Sequence, residues 1–216
     1  MLTNADVRLL KQTKPLLSSK REKYVLTASR SQWFRAVTAI FAVIAFLSGA
    51  IGLLSDESPR DWLVNDRLFS GEIAAAAKNH GLDPQLVRSV VFQESRFDPF
   101  TRGSRGEYGL MQVLPGGAVT DWARLHRKKV PAGDELTDSA LNLEIGCWYL
   151  ARAMKRYNGY RNKLALSLAM YNAGIRRAEK WKPHDKNGDV ISRIDIKSTR
   201  RYVTQVIRRY HRYLAK

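Results

Sequence analysis

Apolar positions along this chain recur mostly every three or four residues, the period of helices that bury one face. No stretch alternates residue by residue as a half-buried strand would. Ser70 is placed to N-cap "GEIAAAAKNH", which should stop at Gly81. Asp83 followed by Pro84 pairs an N-cap with a first-turn proline and opens "PQLVRSVVFQESRF". Pro99 should end that helix, because the residue before a proline is pushed out of the α region. After a glycine-rich loop, "RGSRGEYG", the pattern predicts a short helix over "LMQVLP", broken near Pro115. A loop over 116–136 follows, with one helical turn around "DWARL". Thr137 and Asp138 can start "DSALNLEIGCWYLARAMKRY", whose Leu141, Ile145, Trp148 and Tyr149 share a face. "KLALSLAMYNAG" should stop at Gly174 in a left-handed turn. Residues 176–197 are polar and turn-rich and predict a surface excursion. Thr199 should cap a last helix carrying Tyr202, Val203, Val206, Ile207, Tyr210 and Tyr213.

One segment lacks a polar face altogether. Ala36 to Leu54, "AVTAIFAVIAFLSGAIGLL", has no charge and only Thr38 and Ser48 as polar side chains. As a helix it spans about 28 Å, close to the hydrocarbon thickness of a bilayer. Residues 1–35 carry eight Lys and Arg against Asp6 and Glu22, and Asp56 and Glu57 follow the span. The positive-inside rule therefore predicts a cytoplasmic N-terminus and an exported remainder. The expected organisation is a basic cytoplasmic segment over 1–35, a membrane anchor or uncleaved signal over 36–54, a linker over 55–69 and one domain over 70–216. The predicted place is the inner membrane, single-pass, with the domain in the periplasm; signal cleavage near Ala50, after "SGA", is the alternative.

Charge adds a partner class. The sequence has 216 residues, 37 Lys and Arg, 20 Asp and Glu, and a net charge of +17. Exported chains seldom meet nucleic acid, so none is expected; anionic cell-wall polymer or lipid headgroups suit the charge better. Cys147 is the single cysteine, which excludes an intramolecular disulfide and suits a small buried hydrophobe. His80, His126, His184 and His211 show no ligand spacing, so neither a metal nor another cofactor is expected.

The chemistry concentrates at one carboxylate. On a helical wheel Leu86, Val87, Val90, Val91 and Phe97 fall within an arc of roughly 140°, and Glu94 lies near its middle. A glutamate there is either hydrogen-bonded to a neighbouring helix, turned outward at the helix end, or functional. Burial disfavours its charged form and would keep it protonated near neutral pH, as a proton donor to a glycosidic oxygen must be. Glycoside hydrolysis usually adds a second carboxylate. Asp98 is a turn residue before Pro99, and Glu107 has neighbours that give no hint of a pocket. The missing partner fits a route in which the substrate's own acetamido group assists.

The blocks "ESRFDP", "GEYGLMQVLP", "SLAMYNAG" and "STRRYV", in that order, resemble the catalytic domain of family 1 lytic transglycosylases, the soluble lytic transglycosylase type. The resemblance runs from about Ile73 to Tyr210 and implies a mainly α, goose-type lysozyme-like domain behind the single N-terminal helix. It further implies cleavage of the β-1,4 bond between N-acetylmuramic acid and N-acetylglucosamine in peptidoglycan glycan strands, ending in a 1,6-anhydromuramoyl residue. Glu94 maps to the lone acid/base. Tyr171 and Tyr202 map to tyrosines near the scissile sugar and the cleft, Gln112 to an amide that binds substrate or positions Glu94, and Asn172 to one that binds substrate or stabilises the turn. Ser104 stands next to Gly103, the position of the family's substrate serine, as its candidate substitute, with Gly109 allowing close backbone approach and Leu110 and Met111 packing the core. Three positions depart from the family pattern: Gly103 where a serine is common, Ser198 where a glutamate is common, and Met170 where an alanine is common. Partners in a secretion machine or in wall assembly are compatible with this class. A lysozyme-like muramidase using water and a non-catalytic wall-binding or assembly module are the competing readings.

Overall fold

The computed structural model describes Val37, Ala39, Ile40, Val43 and residues 64–215. The chain divides into two units, Met1–Leu54 and Ser55–Lys216. Of the first unit the four described residues are helical; the rest of the apolar run over 36–54 lies outside the described residues. No helix among the described residues is long and apolar enough to cross a membrane.

The second unit is mainly helical, and among its described residues the only extended pairings are isolated bridges of Tyr108 with Arg102 and Val113. The helices are α1 (Ser70–Asn79), α2 (Pro84–Ser95), α3 (Thr120–Leu125), α4 (Ser139–Arg156), α5 (Lys163–Ala173), α6 (Ile175–Trp181) and α7 (Lys197–Leu214). An irregular turn over Pro115–Val119, broken at Gly117, leads into α3, and a 3₁₀ turn over Asp134–Thr137 precedes α4.

Two helix starts are as the sequence predicts. Asp83 accepts from Gln85 N at 2.7 Å, and Asp138 accepts from Leu141 N at 2.8 Å. Several expectations fail. Ser70 is the first residue of α1, not its cap; its hydroxyl donates to Arg67 O at 2.5 Å and accepts from Arg88 at 2.7 Å. Thr199 lies inside α7, where its hydroxyl donates to Asn172 Oδ1 at 2.9 Å. Helix α2 ends at Ser95, well before Pro99, because Arg96 and Phe97 take left-handed conformations with φ of 52° and 66°. The "LMQVLP" segment forms turns and a bridge instead of a helix. Gly174 ends α5 with a positive φ, but its φ of 84° and ψ of 160° are extended, a region open essentially to glycine alone. Residues 176–197 are no mere excursion: α6 occupies their start, and Trp181, Val190 and Ile194 are buried.

Packing fixes the site. α2 lies against α7, and α5 lies against α4, α6 and α7. Val87, Val90 and Val91 of α2 are fully buried, as are Val203 and Val206 of α7. Each such side chain stabilises the fold by about 1.5–3 kcal/mol. The end of α2, and Glu94 with it, is thereby anchored against α7 and its Tyr202.

Candidate active site

Glu94 is the penultimate residue of α2, half-buried, and lines a cleft of about 1140 Å³. Tyr202, only 6% exposed on α7, donates its hydroxyl to Glu94 Oε1 at 2.7 Å. Burial pushes the Glu94 carboxyl up to about 7; the negative charge of Glu107 adds to the rise, while the Tyr202 hydrogen bond and the Arg105 guanidinium oppose it. Burial beside this carboxyl in turn holds the hydroxyls of Tyr171 and Tyr202 well above the usual tyrosine range.

The helix end is clamped from below. Ser95 Oγ lies 2.9 Å from Leu110 O and 3.2 Å from Val91 O, tying α2 to the 109–112 turn. That turn rests on Asn142 of α4, fully buried. Asn142 Oδ1 accepts from Met111 N at 2.8 Å, and Nδ2 donates to Tyr108 O and Leu136 O at 2.8 and 2.7 Å. Gly109, at φ 75°, is where a side chain would collide with Asn142 and would sit 2.7 Å from Leu136 O. The close approach expected of Gly109 is therefore an approach to Asn142. Leu110 and Met111 are fully buried, in the core role expected of them, and the equally buried Cys147 lies against Met111 with 3.9 Å between the sulfurs.

Of the residues singled out from sequence, Glu94, Ser104, Gln112, Tyr171 and Asn172 all line the cleft. Ser104 is exposed. Gln112, at φ 47°, spends its amide N–H groups on Thr101 O and Gly109 O at 3.0 and 2.9 Å. Tyr171 donates to Met111 O at 2.7 Å, and Asn172 accepts from Thr199. Tyr202 lies behind Glu94 and does not form part of the cleft wall. Asp98 is exposed and holds its own turn, accepting from Phe100 N at 2.9 Å and Thr101 Oγ1 at 3.1 Å. Ser198 is exposed on the first turn of α7, and Met170 is core.

Glu107 is the residue that sequence reasoning undervalued. It is 7% exposed and lines the same cleft. Burial alone would raise its pKa, but the backbone N–H groups of Glu107 and Arg105 and the Arg105 guanidinium outweigh it and hold the carboxyl below the usual range. Arg105 N donates to Oε2 at 2.9 Å, and the guanidinium reaches Oε1 at 2.6 and 2.7 Å. The space this carboxylate fills is opened by Gly103, where an added Cβ would meet Glu107 directly and Gln112 Oε1 at 2.8 Å. Asn142 was also missed, though it carried a signal: a polar residue at the edge of the apolar arc formed by Leu141, Ile145 and Tyr149, as Glu94 is within its own arc.

The family model of the transglycosylase SLT domain matches residues 72–193, more than half of the chain, and the protein belongs to that family. Membrane-bound lytic murein transglycosylase E of Buchnera aphidicola is 32% identical over 123 residues, 56% of this chain and 54% of that protein. The 70 kDa soluble lytic transglycosylase of Escherichia coli matches in structure with a TM-score of 0.61 and 25% identity, over 69% of this chain and 25% of that one. An inactive glutamate-to-glutamine mutant of the lytic transglycosylase Slt of Pseudomonas aeruginosa matches with a TM-score of 0.59 and 27% identity, over the same shares. The chain thus spans about half the length of the first relative and a quarter of each of the two solved chains.

Proposed function

We propose that this protein is a peptidoglycan lytic transglycosylase that breaks the bond between N-acetylmuramic acid and N-acetylglucosamine without water and leaves a 1,6-anhydromuramoyl end. The observation that carries this reading is Glu94, a cleft carboxyl with a pKa raised to about 7 and one hydroxyl donor, Tyr202, at 2.7 Å. Near neutral pH such a group populates both protonation states, as a residue that first gives and then takes one proton requires. As an acid, Glu94 protonates the glycosidic oxygen while the bond to C1 breaks. The substrate's 2-acetamido group stabilises the positive charge at C1. As a base, Glu94 takes the proton of the C6 hydroxyl as that oxygen bonds to C1, which restores the acid.

Glu107 supports a single-acid route, since both its oxygens are engaged by Arg105. Ser104 and Asn172 present polar groups to the glycan, Gln112 and Tyr171 shape the wall, and Tyr202 acts through Glu94 rather than on sugar. Product analysis of digested wall tests the route. Anhydro ends, lighter by one water than reducing ends, are expected; reducing muramic acid ends as the main product would assign a water-using muramidase instead. A protein that binds wall and releases no fragments would be an assembly module.

Residues 36–54 are read as a single-pass inner-membrane anchor with the domain at 70–216 in the periplasm. The uncharged run and the membrane-bound name of the Buchnera relative support this. A reporter fused at the C-terminus should be active in the periplasm and co-sediment with inner membrane. A soluble mature chain beginning near Ile51 would make the segment a cleaved signal.

A further inference from the structure

Of the four cations that line the cleft, Arg105 alone is matched to an acid among the described residues, whereas several cations beyond it are paired. Arg105 pairs with Glu107 at 2.6 Å, Arg152 with Asp121 at 2.9 Å, and Arg156 and Lys182 with Glu179 at 2.8 Å each. Asp121, which also lines the cleft, is further held by Arg124 at 3.1 Å. Helix α6 shows the contrast within seven residues. Its Glu179 edge is neutralised, whereas Arg176, Arg177 and Lys180 are exposed, line the cleft that holds Glu94, and have no hydrogen-bonding or ionic partner among the described residues.

Spacings of three and four residues make Lys180 a neighbour of both arginines on one helix face, an arrangement that self-repels unless an anion is bound. The placement comes from packing rather than from charge. Ala178 and Trp181 are buried, Trp181 Nε1 donates to Asp195 at 2.9 Å, and Gly174 sets the angle at which α6 leaves α5.

We propose that the Arg176–Arg177–Lys180 edge of α6 binds carboxylates of peptide stems, so that this cleft selects glycan strands whose stems carry free carboxylates. The proposal rests on the wall-cleaving reading above. The sugars of an intact strand are uncharged once the lactyl group is amide-linked, so the stems supply its negative charge. A strand lying across Glu94 projects those stems sideways from every muramoyl unit, towards the rim that α6 forms. Opposite charges in partial solvent add a modest factor per pair, and three in concert give a selectable preference.

The test uses the full chain in detergent and two probes. One is a set of peptide-bearing strands from purified wall; the other is the same strands with stem carboxylates converted to amides. Binding is read separately from cleavage. The native protein should bind the free-carboxylate strands about tenfold more tightly at low salt, with the preference falling as salt screens it. Combined Arg176→Gln, Arg177→Gln and Lys180→Gln should bring both probes to the affinity of the amidated one, whereas Arg176→Lys with Arg177→Lys should keep most of the preference. Unchanged affinity for amidated strands shows that the triple variant is folded. Equal binding of both probes by the native protein, or a preference that survives the triple substitution, overturns the proposal. So does a triple variant that loses only its binding to anionic phospholipid vesicles, which would assign the edge to a lipid surface. A native protein that prefers free carboxylates yet leaves strands uncut would sustain this proposal and remove the proposed activity.

Discussion

Glu94 at the end of α2 and Glu107 in the following loop line one cleft, yet one carboxyl is pushed up and the other is held ionised. Glu107 is 7% exposed, yet the N–H groups of its own loop and the Arg105 guanidinium keep it below the usual carboxylate range. Glu94 shows more surface as a residue, but its carboxyl is desolvated and receives one hydroxyl, and it rises to about 7. The surface a residue shows therefore does not by itself rank the proton affinities. What ranks them is whether burial comes with donors. The pair also divides labour: the ionised member raises the proton affinity of the other, while its arginine moderates the effect.

The largest test of this contrast is Glu94→Gln. Wall lysis should fall by about 10²–10⁴-fold, the range for a lost general acid or base, and lysis at the native rate would remove Glu94 from the chemistry. The same variant tests the proton affinity directly. A native pKa of about 7 against an ordinary 4.5 means the folded state binds the extra proton between those values. The contribution of Glu94 to stability is thus fully present below about pH 4.5 and lost as pH rises through 7. Glu94→Gln should match the native protein near pH 4 and exceed it by about 3 kcal/mol near pH 8, measured by denaturant melts. Equal stability at both would show that the carboxyl is not desolvated.

Smaller effects come from the neighbours. Glu107→Gln removes a negative charge and leaves Arg105 unopposed, so the alkaline limb of kcat/KM should move to lower pH. Arg105→Gln should move it to higher pH, as should Tyr202→Phe, which deletes the hydrogen bond favouring ionised Glu94. Shifts of about one pH unit or less are expected for such partly solvated charges and single hydrogen bonds. Shifts of the same sign for Glu107→Gln and Arg105→Gln would refute the division of labour.

Local rules in the sequence were sufficient where both partners lie within one turn. Asp83 and Asp138 cap helices through N–H groups two and three residues away. The same rules misplaced Ser70 and Thr199, because Arg67 and Arg88 engage the first hydroxyl and Asn172 engages the second. Glu94 was legible as an acid inside an apolar arc; that Tyr202 is its donor follows from the packing of α2 on α7. Glu107 was not, because its burial is created by the fold of the 103–107 loop and carries no periodic signal. Helix α6 was hidden by its composition, since only Ala178 and Trp181 turn inward from a polar run.

Gly103 and Glu107 share one volume at the cleft wall. A Cβ at 103 would fall on the Glu107 carboxylate, so a side chain there requires that carboxylate to swing away from the Arg105 guanidinium and the loop N–H groups that hold it. The cost of filling position 103 is therefore felt in the charge balance beside Glu94 and not in the packing of the core.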